Sequence, residues 1–384
     1  MTRLYIFSKK QCISFFVIFF VFDLFFLPSF LASTPLSFFL LVFLSPLFFL
    51  IKKEYLLVYM LLLAFMLASI INGISTFGMG TEENIKRFTQ ISLILSIIFI
   101  NFKILDYPLV EKMLNKLIVV FLVYLIVLLI VSVSLPQLYL SYMAYLSPNS
   151  INMIISNVEV FRFSYIFSDP NTLGYLLVFT AIYSLFYFKN TKFAIIIWLI
   201  IFFLILTTQS RGALLALVFT AMMVAIWQSR FTLSTLKIIF FSIGLLLIIV
   251  FIFQDFFAVI IDAFEKRSEI EDAMGTGMGG GRDKKYVYFI NNVNFSLYGV
   301  GYSLFIDGIE FRPHSDLIRM GLSYGVFFVL FFFMIFFPYN FKSSSMLLSF
   351  MFPFLINTVI DEYRLFGLFV ILFMFMKHDK RLLF

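Results

Sequence analysis

The chain has 384 residues, 62% of them hydrophobic and only 13% charged, and its mean hydropathy is +1.05, whereas a soluble domain carries about 25% charged residues. This excludes a soluble globular enzyme, because most of the surface must face lipid. A net charge of +7 raises nucleic acid as a partner, but the Lys and Arg residues are dispersed between apolar runs and form no basic stripe.

The first stretch, 2–31, carries Arg3, Lys9 and Lys10 ahead of an apolar run, in the manner of a signal peptide. It shows no small-residue cleavage site and further spans follow, so it reads as a retained first helix. The single cysteine, Cys12, lies at the start of that run, which leaves no intramolecular disulfide and no thiolate metal cage. Apolar runs of about 20 residues place spans near 12–31, 34–51, 55–71, 88–105, 114–134, 170–188, 193–208, 212–228, 236–254, 318–337, 346–360 and 364–377. With the N-terminus cytoplasmic, more than half of the basic residues fall in inner loops and tails, as the positive-inside asymmetry requires. The expectation is an all-α fold, a polytopic bundle of about twelve spans. It forms one integral membrane domain over 1–384, with both termini cytoplasmic.

Between the ninth and tenth spans lies a long outer loop, 254–319. It opens on an amphipathic piece, 256–270, suited to lie along the membrane surface, followed by a glycine-rich linker at 275–281. That linker lacks the Gly-Lys-Ser/Thr ending of a phosphate-binding loop, so nothing argues for ATP. A second outer segment, 135–167, is polar and aromatic.

Once this orientation is set, the unusual polar residues collect on the outer face: Arg162, Asp169, Arg211, Arg282, Asp283, His314, Asp316, Asp361, Glu362 and Arg364. Charge at a helix lip is costly unless it has a partner or a task. Arg211 stands in Thr207-Thr208-Gln209-Ser210-Arg211-Gly212-Ala213, a tight turn between apolar helices. It can be a snorkelling anchor, or its planar fork can grip a phosphate in two places. Ser168-Asp169-Pro170-Asn171-Thr172 is a helix start. It reads first as a cap, and second as a set of outward backbone amides for an anion. His314, after Arg312-Pro313, is either a solvated loop residue or a neutral imidazole able to draw a proton from a sugar hydroxyl. His378, in the cytoplasmic Lys377-His378-Asp379 tail, reads as solvated, and two histidines on opposite sides of the membrane make no histidine metal site. Asp23, inside the first span, reads as neutral or hydrogen-bonded to a neighbouring helix.

Three blocks carry a resemblance. They are Arg162 through Ser168-Asp169-Pro170-Asn171-Thr172-Leu173-Gly174, then Thr208-Gln209-Ser210-Arg211-Gly212-Ala213, and a loop block. The last runs from Gly281-Arg282-Asp283 through Gly299-Val300-Gly301-Tyr302 to Pro313-His314-Ser315-Asp316-Leu317, Gly321 and Tyr324-Gly325. In order, spacing and outer placement the chain resembles the bacterial O-antigen polymerase and ligase superfamily, membrane glycosyltransferases of the C-type architecture. The resemblance implies undecaprenyl-diphosphate-linked oligosaccharide as substrate on the periplasmic face of the inner membrane, with no nucleotide, metal or other cofactor and no nucleic acid. It implies the catalytic residues Arg211 and Arg282 on the diphosphate and His314 near the acceptor. Around them Arg162, Asp169, Asn171, Ser210, Arg312 and Asp316 would bind substrate, with a chain-length regulator protein as a further partner. Ser315 stands where the ligase pattern commonly has Asn after the histidine, which favours a polymerase of O-antigen or a related surface polysaccharide. The alternatives are a ligase moving glycan to the lipid A core and a lipid-linked oligosaccharide flippase. Transporters usually show repeated halves and midplane polar residues, whereas here the polar residues gather on one face.

Overall fold

The computed structural model describes residues 8–28, 34–48, 53–77, 81–227, 297–302, 305–306, 309–310 and 315–379. Among them are fourteen α-helices. In chain order these are α1 (Lys9–Phe26), α2 (Leu36–Phe48), α3 (Lys53–Phe77), α4 (Thr81–Leu95), α5 (Tyr107–Ser134), α6 (Pro136–Leu146) and α7 (Ile151–Glu159). They continue as α8 (Pro170–Tyr187), α9 (Thr191–Thr208), α10 (Arg211–Trp227), α11 (Asp316–Tyr324), α12 (Val326–Ile335), α13 (Phe341–Ile356) and α14 (Tyr363–His378). A two-residue antiparallel ladder pairs β1 (Phe305–Ile306) with β2 (Ile309–Glu310). The chain forms two compact units, one of Met1–Leu114 with Arg282–Phe384 and one of Asn115–Gly281.

The all-helical expectation agrees with this architecture. Three helices among the described residues are long and apolar enough to cross a membrane: Tyr55–Ser75, Tyr107–Ser134 and Thr191–Thr208. Two of the expected spans differ in detail. In place of a helix over 88–105, α4 starts at Thr81, carries Glu82, Glu83, Lys86 and Arg87 in its first turns, and gives way after Leu95 to 3-10 turns. The span at 318–337 is two helices, α11 and α12, broken at Gly325. That glycine has φ +91°, and a Cβ on it would lie 2.1 Å from the Leu297 carbonyl oxygen, so the break is where another stretch of backbone passes. The expected span at 236–254 and most of the 254–319 loop, with the 256–270 piece and the 275–281 linker, lie outside the described residues.

The first unit is organised on α14, which is buried on every side from Leu365 to Met376, the pattern of a helix that is apolar all round. α1, α4 and α13 pack against it. Its phenylalanines pack against those of α13 and against the residue that caps α12: the Phe350 and Phe369 rings are 4.0 Å apart and nearly parallel, and Phe336 touches both Phe369 and Phe373. Stacked pairs of this kind are worth about 0.5–1.5 kcal/mol beyond their burial.

Several residues that stand out in the sequence as costly charges are helix caps in this unit. Asp23 Oδ2 accepts from the backbone N–H of Ser37 at 2.6 Å, tying α1 to the first turn of α2. Arg364 is buried and donates to the carbonyls of Asp23, Leu24 and Leu27, which satisfies the open end of α1. The tail histidine is not solvated. His378 is 9% exposed and stacks on Phe102. Beside it Lys377 donates to the Ile335 carbonyl and sits 4.3 Å from the Tyr339 ring, and Lys342 pairs with Asp379 at 3.0 Å. The last turn of α14 is thus packed against protein instead of water.

In the second unit α8 is the buried helix, with α9 and α10 packed on it. Asp169 caps α8, Asn190 caps α9 with its side chain accepting from two backbone amides, and Gln209 closes α9 in the left-handed conformation at φ +53°.

Candidate functional site

Five of the residues picked from the sequence come together at one end of the second unit, where α9 ends and α8 and α10 begin. Gly174 makes this possible: a Cβ there would lie 2.7 Å from Ala213 Cβ and 3.1 Å from Ser210 Cβ, so the start of α10 packs its small side chains directly on the α8 backbone. Ser210 caps α10, its Oγ accepting from Ala213 N at 3.2 Å, and Arg211 is the first residue of that helix. Arg162 is half-buried, and its Nε donates to the Thr208 carbonyl at 3.4 Å. Asp169 and Asn171 are joined to each other, Asn171 N donating to Asp169 Oδ1 at 2.9 Å and Asn171 Nδ2 to Oδ2 at 3.1 Å. We expect Gly174→Ala to lose about 1–3 kcal/mol of stability from overpacking, seen as a lower Tm of the detergent-solubilised protein. The pair Gly174→Ala with Ala213→Gly should regain part of it.

The α8 start behaves as a cap and not as an anion cradle. Pro170 has no N–H, the Asn171 amide goes to the Asp169 side chain, and the Thr172 amide bonds the Asp169 carbonyl at 3.0 Å. Arg211 differs. A cation in the first turn opposes the helix dipole, so its own helix gives no electrostatic reason for it to be there.

The backbone around this end is strained in a way the sequence does not announce. Phe161, Tyr165 and Gln209 all have φ between +53° and +54°, and none is glycine. Such residues cost of order 1 kcal/mol or more each and gather at functional sites. Here they are over-determined: Phe163 N donates to the Thr207 carbonyl at 3.0 Å, and Gln209 Nε2 reaches the carbonyls of Val160 and Phe161. Loop 160–163 is laced to the end of α9, and this sets the direction of Arg162.

The first unit holds a second polar cluster that the sequence reading missed. Asp361 pairs with Arg319 and lies 3.6 Å from Arg87, and its two oxygens accept from the Tyr302 hydroxyl at 2.8 Å. Arg87 also bonds Glu83 at 3.0 Å and Gln90 at 2.6 Å, while both guanidiniums lie over the Tyr302 ring. Burial opposes the Arg87 charge, but Asp361 and Glu83 outweigh it and raise its pKa. Two guanidiniums and a phenol on one carboxylate make Asp361 a lock. The signal available in the sequence was Glu83, Arg87 and Gln90 at helical spacing on one face of α4.

Asp316, expected at the substrate, lies in this unit and is 1% exposed. Its Oδ2 accepts from Val359 N at 2.5 Å and Ile360 N at 3.1 Å, and its own N–H donates to the Asn357 carbonyl. Burial, with the nearby Asp361 charge, pushes its carboxyl well above the usual carboxylate range, against the pull of the two amides. It is a clamp on 357–360, the segment that leads to Asp361. Arg282, Arg312 and His314 lie outside the described residues, as does Asp283. Among the described residues no three His, Cys, Asp or Glu side chains are placed to hold a metal ion.

No protein-family model, no curated protein and no solved structure matches the chain.

Proposed function

We propose that the chain is a membrane glycosyltransferase of the polymerase type, in the inner membrane of a bacterium. In this reading it has about twelve spans, cytoplasmic termini and the 254–319 loop outside. It joins undecaprenyl-diphosphate-linked repeat units into O-antigen or a related surface polysaccharide, without metal or nucleotide. The observation that carries the reading is Arg211 at the first residue of α10, with Arg162 on a strained loop hydrogen-bonded to the end of α9, at one end of the unit that contains α9. These are two cations at one end of a set of apolar helices, one of them set against its own helix dipole.

In this reaction an acceptor hydroxyl attacks the anomeric carbon of the lipid-linked glycan. The new carbon–oxygen bond forms as the bond to phosphate breaks, the hydroxyl proton passes to a base, and undecaprenyl diphosphate leaves. The chief demand is charge developing on the bridging oxygen. Guanidiniums preorganised in a poorly hydrated mouth meet it, and Arg211 has that role here, while the resemblance assigns Arg282 to the same diphosphate. His314 is the acceptor base or orients the acceptor, again by resemblance.

Loss of the gene tests this. Without a polymerase, single lipid-linked repeats still reach the periplasm and a separate ligase attaches them, so the expected lipopolysaccharide is core bearing one repeat unit. A bare core with long carrier-linked polymer would instead identify a ligase. Single repeats trapped on the cytoplasmic side would identify a flippase.

A further inference from the structure

α5 is among the helices long and apolar enough to span a bilayer. A single residue, Leu135, separates its last residue, Ser134, from Pro136, the first of α6. Proline has no N–H to continue the α5 ladder and keeps Leu135 out of the helical region, at φ −139°, so the chain turns where α5 ends. We infer that α6 lies in the headgroup layer of the leaflet at which α5 ends, with Leu138, Tyr142 and Tyr145 dipped into lipid and Gln137 and Ser141 toward water. The partner of this face is the membrane surface. This goes beyond glycan transfer and needs only that α5 crosses the membrane.

Around its axis α6 has three sectors. Tyr139, Met143 and Leu146 are buried, and α7 packs on the helix. Leu138, Tyr142 and Tyr145 are 59%, 39% and 74% exposed and, at i, i+4 and i+7, form one stripe. Gln137 and Ser141 are exposed as well, about a quarter-turn round the helix from that stripe. Water would leave the apolar stripe unsatisfied, and hydrocarbon would do the same to the polar pair. The boundary between the two suits both.

One hydrogen bond sets which side faces the membrane. The Tyr142 and Tyr124 hydroxyls are 2.8 Å apart, and Tyr124 lies ten residues before the end of α5, about 15 Å back along the helix. The stripe side of α6 therefore looks back down the membrane-crossing helix, and the Gln137 side away from it. The stripe also continues the exposed face of α5: Val127, Ile130 and Val133 are each more than half exposed, as is Leu135 between the two helices. Tyrosine suits this level, since its ring enters the apolar layer while its hydroxyl stays at the polar edge. α7 follows α6 and leads into loop 160–163, so the depth of α6 bears on that of Arg162.

The test places a nitroxide label at one position at a time on the full chain, in a Cys12→Ser background, since Cys12 is the only cysteine. The positions are Gln137→Cys, Leu138→Cys and Tyr145→Cys, all exposed, so the labels displace no packed side chain. In nanodiscs of phosphatidylethanolamine and phosphatidylglycerol, collisions are measured with oxygen, which concentrates in lipid, and with a water-soluble nickel chelate. Oxygen should dominate at 138 and 145 and nickel at 137, so that the ratio inverts between neighbouring residues. Nickel dominating at 138 or 145 overturns the inference, because the stripe then faces water. Oxygen dominating at 137 overturns it as well, by immersing the whole helix in hydrocarbon. So does shielding of 138 and 145 from both reagents, which would place a protein surface over the stripe. None of these readouts involves glycan, so failure here and failure of the polymerase reading are separate results.

Discussion

Replacing Asp361 by alanine is expected to destabilise the protein by about 3–5 kcal/mol, the range found when one partner of a buried ion pair is removed. Arg319 is 4% exposed and Arg87 is largely buried, and both face this carboxylate. Without it two guanidiniums remain in a low-dielectric site where, among the described residues, Glu83 pairs with Arg87 but not with Arg319. The Tyr302 hydroxyl also loses its acceptor. Thermal unfolding of the solubilised protein, followed by size exclusion, measures the loss. The double variant Arg319→Met, Asp361→Leu should be more stable than Asp361→Ala alone, because it removes a charge together with its partner. If Asp361→Ala melts within a degree or two of wild type, the cluster is solvated and not a lock.

The second large effect concerns Arg211. Removing one preorganised donor from a site of charge development typically costs about 100- to 1000-fold in rate, so Arg211→Ala should reduce polymer by that factor at unchanged protein level. Arg211→Lys should be almost as poor, since lysine keeps the charge but loses the two-pronged fork. An interfacial anchor predicts the reverse, because lysine snorkels as well as arginine. Near-normal polymer from the lysine variant would therefore make Arg211 an anchor of α10 and remove the diphosphate role.

The helical class was legible because a lipid solvent leaves a simple mark: apolar runs with charged residues between them. Helix breaks were less so. Gly325 sits within an apolar stretch, and a hydropathy window averages across the place where α11 stops and α12 starts. The start of α4 was hidden for the opposite reason, since Glu83, Arg87 and Gln90 look like a polar loop until their helical spacing is noticed. At the candidate site, Arg162 and Arg211 stood out as charges at helix ends. The Arg87, Tyr302, Arg319 and Asp361 cluster did not, because its members come from four distant stretches and each alone resembles an interfacial anchor. Nor could the left-handed backbone at Phe161, Tyr165 and Gln209 be foreseen, as these residues have no preference for it, and loop 160–163 and Gln209 are held by hydrogen bonds to each other that only the fold brings together.

The burial of α14 on all sides has a consequence for how the protein is made. The helix that fills the centre of the first unit is synthesised long after α1 and α4, which pack against it. At about 5–20 residues per second, the ribosome needs roughly a quarter of a minute to a minute to travel from α4 to the end of α14. Throughout that interval the faces of α1 and α4 that await α14 have only lipid or a chaperone to cover them, and Arg364 is not yet there to close the end of α1. Assembly of this unit is necessarily a late event, and an insertase that holds early helices until the last one arrives would act on this step.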